Sequence, residues 1–255
     1  MRVTWVHPSW RDLVIAELAA DAAARRRFLA HCGVDGAAIA LADPRPLLHD
    51  DADWDALGDG LHHLCRELDE AAAVRLLHTL AVDGPETQAL ARLILERLGW
   101  GGRALSVDAV AAWLAAAARL EDPKPEPPAI AMTWLELEPH AAPRTPAELE
   151  RMADWLRLAD LLDTHDPVLL RGLGFPHRYA DVLRAFTESP ATPDPPLERE
   201  LRIEALDRLA YLDPTLGGAA LDRTIALRVA PVESLPEIPQ RTEFPIERVL
   251  SDLLA

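Results

Sequence analysis

Lysine is all but missing from this chain: 25 of its 26 basic residues are arginine, and Lys124 stands alone in a proline-rich stretch. A P-loop needs a Gly-Lys pair, and none exists. Schiff-base chemistry would rest on Lys124, which reads as exposed rather than desolvated. None of the five serines sits in a Gly-x-Ser-x-Gly elbow, and no Gly-x-Gly-x-x-Gly occurs. Cysteine is scarce too. Cys32 and Cys65 make no disulfide framework and suit reduced thiols in a cytoplasmic setting. The first residues, Met1 to Trp5, lack the apolar run of a signal peptide. The longest apolar run, residues 109–118, is mostly alanine and too short to span a bilayer.

Positive charge is also in short supply. Residues 1–121 carry 12 basic and 18 acidic side chains, a net of −6, and the remainder carries 14 and 24, a net of −10. Neither part has the basic footprint that neutralises phosphates, so nucleic acid and anionic membrane are not expected as partners. Aromatic residues make up 5%, and seven of those thirteen are tryptophan. Alanine and leucine supply most of the hydrophobic half, which favours helices over sheets. At 255 residues the chain suffices for one large domain or two small ones.

The periodicity predicts an all-α fold of antiparallel helical hairpins, either a bundle or an irregular α-solenoid, with proline-rich connections. A first helix opens near Pro8 and Ser9, with Trp10, Leu13, Val14 and Leu18 on its apolar face. Asp21 caps a second, which stops at Gly33. Trp54, Leu57, Leu61, Leu64, Cys65 and Leu68 form the face of another. Further helices carry Val74, Leu77 and Leu80, then Leu90, Leu93, Ile94 and Leu98. Ser106 caps the next, around Val110, Trp113 and Leu114.

Seven prolines between residues 122 and 146 then break the pattern. The island 130–137 partly alternates and reads as an extended strap. Thr145-Pro146 restarts a helix around Leu149, Met152, Leu156 and Ala159. Two more follow, one holding Tyr179, Val182, Leu183 and Phe186, the other running from about Leu197 to Leu212. Residues 230–245 read as irregular, and a short helix closes the chain. The organisation expected is an N-terminal helical segment (1–121), a linker or strap (122–146) and a C-terminal helical segment (147–255).

Few constellations carry chemistry. Asp51-x-Asp53-x-Asp55 resembles the start of a calcium loop, but Ala56 and His62 stand where glycine and glutamate are needed. It reads instead as an acidic helix N-terminus favoured by the dipole. His62, His63 and Cys65 lie within one turn, and His31-Cys32 would be needed to complete a metal site. Cys65 also fills an apolar face, and nothing brings the two pairs together. No metal, cofactor or catalytic residue is therefore assigned. Arg25, Arg26 and Arg27 read as a solvated helix face, with docking of an acidic partner as the alternative. Trp10, Trp54, Trp113 and Trp155 read as core, whereas Trp134 either anchors the strap or presents an exposed ring.

The segment Val3-Thr4-Trp5-Val6-His7-Pro8-Ser9-Trp10-Arg11-Asp12 is the most specific local feature. It resembles the His-Pro-Ser-hydrophobic-x-Asp segment downstream of the nucleotide-binding core in bacterial STAND-type signalling NTPases, which are often linked to conflict systems. Phe28-Leu29, Cys32-Gly33 and Asp51-x-Asp53-Trp54 are similar to the helical region that follows there. The resemblance implies a strand-to-helix turn at His7, Ser9, Trp10 and Asp12, where His7 bonds locally. It also implies a C-terminal helical arm whose Walker motifs would lie upstream of Met1.

The expected function is a non-catalytic protein-interaction or regulatory module. Its partner would be another protein, with a P-loop NTPase subunit as one candidate. The alternatives are a small-molecule or metal-dependent enzyme using His and carboxylates in a helical bundle, and an inactive truncated remnant. Oligomeric state is not legible.

Overall fold

A computed structural model of the protein describes residues 8–44, 46–64, 68–80, 84–99, 102–121, 125–189 and 196–229. The fold class is all-α: thirteen α-helices and one 3-10 turn, His177–Tyr179, with no strand among the described residues. The helices are α1 Pro8–Ala20, α2 Ala22–His31, α3 Gly33–Ala42, α4 Asp51–Leu64, α5 Glu70–Thr79, α6 Pro85–Gly99 and α7 Val107–Ala117. After these come α8 Ile130–Leu137, α9 Pro146–His165, α10 Pro167–Gly172, α11 Ala180–Glu188, α12 Pro196–Leu212 and α13 Pro214–Val229. Among the described residues no helix is long and apolar enough to cross a membrane.

Local sequence explains the helix starts. The Asp21 carboxylate accepts hydrogen bonds from the Ala23 and Ala24 amides at 2.9 and 3.1 Å. The Ser106 hydroxyl accepts from Ala109 N at 3.2 Å. Thr145 and Glu148 form a capping box, each side chain accepting from the other's backbone N–H, with Pro146 next in the chain. Gly33 ends α2 with φ +65° but also begins α3, so the expected stop is a corner between two helices.

α9 holds the middle of the fold. Its buried residues Leu149, Met152, Ala153, Trp155, Leu156, Leu158, Ala159 and Leu162 cover more than half of its circumference. It can therefore pack on α7, α8, α10 and α12. On the N-terminal side α2 packs on α4, and α3 on α4 and α5. The C-terminal side closes with α12 against α13 and α11 against α13. Buried residues from Leu29 to Leu227 form one apolar cluster.

Two expectations change. The island 130–137 is helical, not extended: Ile130, Thr133 and Trp134 are buried and Leu137 is packed at helical spacing, while Met132 and Leu135 face solvent. In α1, Leu13 and Val14 are exposed, and Ile15 and Leu18 make the packing instead. Packed mainly on α2, α1 buries only a narrow stripe among the described residues.

α2 and α4 approach closely at Gly60. A Cβ there would lie 2.6 Å from the Leu29 carbonyl oxygen, whereas one at Gly58 would meet Leu90 Cδ2 at an ordinary 3.8 Å. Gly60→Ala is expected to destabilise by about 1–3 kcal/mol through forced separation of the helices. Gly58→Ala is expected to stabilise by roughly 0.5–1 kcal/mol through helix propensity. Denaturant midpoints of the two variants should shift in opposite directions.

Candidate interaction surface

The arginine triplet does not form a uniform solvated face. Arg25 is 4% exposed and meets Asp53, which is 0% exposed. Its Nε and Nη2 both lie 3.0 Å from Asp53 Oδ2, and its Nη1 donates to Ala19 O at 2.9 Å. Arg26 bridges outward, with Nε 3.2 Å from Asp53 Oδ1 and Nη2 2.8 Å from Asp50 Oδ2. The His49 amide adds a bond to Asp53 Oδ2 at 3.0 Å. Burial pushes the Asp53 carboxyl up. The hydrogen bonds from Arg25, His49 N–H and Arg26, with the Arg25 charge, outweigh it and hold the group below the ordinary carboxylate range. Asp53 is thus neither a calcium ligand nor a solvated helix-start acid. It clamps α4 to α2.

Arg27 and Asp12 are exposed, and Asp12 lines a hollow of about 340 Å³ with Arg11, Ile15 and Asp43 among others. His7 lies outside the described residues, as do Cys65, Lys124 and the closing C-terminal helix. Ser9 and Trp10 fall within α1, but their side chains lie outside the description.

Trp134 is an anchor. It is 1% exposed and stacks in a cluster with Trp155, Phe175 and Tyr179. Ring centroids are 4.8 Å apart for both Trp134–Trp155 and Trp155–Tyr179. Trp134 Nε1 donates to Tyr179 Oη at 3.0 Å, and that hydroxyl donates to Glu138 Oε1 at 2.8 Å. Arg178 Nη2 lies 3.1 Å from the same Glu138 oxygen. Burial, together with the Glu138 contact, raises the Tyr179 phenol above its ordinary range. The chain of donors ends on one carboxylate and joins α8 to the 3-10 turn, while α9 enters the cluster through the ring of Trp155. Its work is packing.

The histidines stay apart from this. His31 is exposed with Nδ1 on Arg27 O at 3.0 Å, and His62 and His63 are exposed. Burial pushes the Cys32 thiol up to about 11, which keeps it protonated. Among the described residues no three His, Cys, Asp or Glu side chains converge to hold a metal.

Two surface features remain. Between α9 and α12 runs a groove of about 670 Å³, lined by Asp160, Glu200, Ile203, Glu204, Asp207, Arg208 and Tyr211. Four carboxylates face one guanidinium, and no histidine lines it. Nearby, burial lifts the Asp154 carboxyl above its ordinary range; Arg157 opposes that, while Glu150, Asp108 and Glu204 add to it. Asp207 pairs with Arg228 of α13 at 2.8 Å, so the groove borders that helix.

The second feature is α13 itself. Its inner side, Ala220, Thr224 and Leu227, is buried. Much of its outer side is apolar as well: Gly218, Ala219, Leu221, Ile225, Ala226 and Val229 are all exposed, with the charged Asp222 and Arg228 among them. Leu221 and Ile225 are each 52% exposed and Val229 78%, in a stripe at i, i+4 and i+8. Leaving these three open forgoes roughly 2–4 kcal/mol of burial. Contiguous exposed apolar patches mark interaction sites. The sequence reading missed this helix. Its signal, Leu216 to Val229 without a polar stripe, lacks the contrast that periodicity detects, and Gly217-Gly218 reads as a break.

No family model, curated protein or solved structure matches the chain.

Proposed function

We propose that this chain is a non-catalytic helical protein-interaction module and that the outer face of α13 is where its partner docks. One observation carries the reading: besides its buried side, α13 exposes the apolar stripe Leu221, Ile225 and Val229, which no described residue covers. The acidic groove beside it and the net charge of −16 favour a basic or neutral partner surface. The resemblance of residues 3–12 to the arm of STAND-type NTPases adds a candidate identity, a subunit carrying the P-loop that this sequence lacks. The chain would then serve as the helical arm of a signalling NTPase.

The test compares the tagged full chain with its Leu221→Asp/Ile225→Asp variant in affinity capture from a lysate of its own source. Both side chains are half open, so the variant should keep its melting temperature within a few degrees. The wild type is expected to retain a stoichiometric partner. The variant should lose it by about a hundredfold, at on the order of 1–2 kcal/mol per buried aliphatic anchor. Equal retention by the variant would place the docking site elsewhere. A P-loop in the captured partner supports the split-NTPase identity, and a partner without one removes that mechanism while keeping the module.

A further inference from the structure

The outer surface of α13 falls into rows of residues four apart. Leu221, Ile225 and Val229 form the exposed apolar row, a ridge of branched side chains. Beside it run Gly218, Asp222 and Ala226, all exposed, two small residues on either side of one carboxylate. On the opposite flank Ala220 and Thr224 are buried and Arg228 reaches the surface. A bulky row next to a small one leaves a shallow channel between them.

The ridge matches that channel, so the face is complementary to itself. Rows of this kind interlock when two helices cross at about 50°, the commonest packing of helix on helix. A two-fold axis along the apolar row lays the ridge of each copy in the channel of the other and brings Ile225 against its own counterpart. It also sets Asp222 of each copy beside Arg228 of the other, because these residues stand at equal distance before and after Ile225, on opposite flanks of the ridge. Asp222 and Arg228 are the charged residues exposed over 218–229, and they balance. Arg228 holds Asp207 at 2.8 Å, yet its side chain stays 60% exposed and can meet a second carboxylate.

We infer that the free protein forms a two-fold pair through α13, the occupant of this face being a second copy of the chain. The inference rests on the interaction reading for the face it names, and a different partner docks by taking the second copy's place. One helix crossing another buries less than the about 1,200 Å² of a stable complex, so the pair is weak and exchanges readily. The charge of −16 on each copy opposes pairing most at low salt, where screening is least.

The experiment is sedimentation equilibrium of the full-length chain at physiological salt, over about a hundredfold range of concentration. The mean mass of the wild type should rise from one chain toward two. Leu221→Asp/Ile225→Asp should stay at one chain, with its fold confirmed by circular dichroism. Charge swaps then read the orientation. Asp222→Arg alone and Arg228→Glu alone should each weaken the pair about tenfold, because like charges then face each other at both crossings. Their equimolar mixture should regain most of the wild-type affinity, since every facing pair is again of opposite sign. A wild type that stays a single chain overturns the inference, as does a pair that Leu221→Asp/Ile225→Asp leaves intact. Swaps that change nothing, or that show no recovery on mixing, overturn it as well. A single chain that still captures another protein through α13 removes the pair and keeps the interaction reading. A pair that forms as expected while no other protein is captured keeps the inference and removes the docking of a different partner.

Discussion

Asp53→Ala is expected to cost about 3–5 kcal/mol, because it strands the Arg25 guanidinium in the interior without its counter-charge. Arg25 is 4% exposed and, among the described residues, has one other partner, the Ala19 carbonyl. A loss of that size should lower the melting temperature by about 10 °C or more. Removing both charges in Arg25→Met/Asp53→Leu should return most of it, since a buried pair often does little better than well-packed apolar side chains. A thermal melt of the single and double variants reads both.

The same group gives a pH signature. Its folded carboxyl titrates below the ordinary range, so its stabilisation is complete above the unfolded value, near pH 4. That stabilisation is lost as pH falls through the depressed folded value. The acid limb of the stability curve should therefore be shallower in Asp53→Asn than in the wild type below about pH 4.

Trp155→Ala should be comparably damaging, at about 3–5 kcal/mol, because Trp155 is fully buried at the centre of four rings joining α8, α9 and the 3-10 turn. The finer expectation is an asymmetry between the two cluster tryptophans. Trp134 Nε1 donates to Tyr179, whereas Trp155 Nε1 is buried with no hydrogen-bond partner among the described residues. Trp155→Phe therefore removes an unpaired donor along with some packing, and its cost should fall below that of Trp134→Phe. Tyr179→Phe should cost about 1–3 kcal/mol, because it leaves the Trp134 N–H orphaned. Denaturant unfolding ranks the three, and equal costs for the two tryptophans would mean that packing alone sets the cluster's stability.

The sequence carried the fold class because alanine, leucine and clean capping signals all point to helices. Asp21, Ser106 and the Thr145–Glu148 box start helices where the residues say they should. What it concealed follows a physical pattern. The Arg25–Asp53 clamp needs two segments 28 residues apart, and a short charge run usually means solvent. A trace was present: Asp53 stands four residues before Leu57 and Arg25 four before Leu29, so each charge falls on an apolar face. The 130–137 island read as extended because prolines flank it, although Ile130, Trp134 and Leu137 already share helical spacing. α13 escaped notice for the opposite reason. Its apolar and polar residues are spread round the helix with little periodic contrast, and the stripe of Leu221, Ile225 and Val229 that this leaves exposed is the candidate docking surface.

The central claim is that this outer face meets another protein. Its most direct test places a photo-crosslinking amino acid at Ile225 in the full chain inside its source cells, with the same group at exposed Val168 of α10 as control. The expected result is a covalent adduct to one defined partner from position 225, absent from position 168 and competed by the unlabelled wild-type chain. Adducts of equal yield at both positions, or none from position 225, would contradict the assignment of α13 as the docking face.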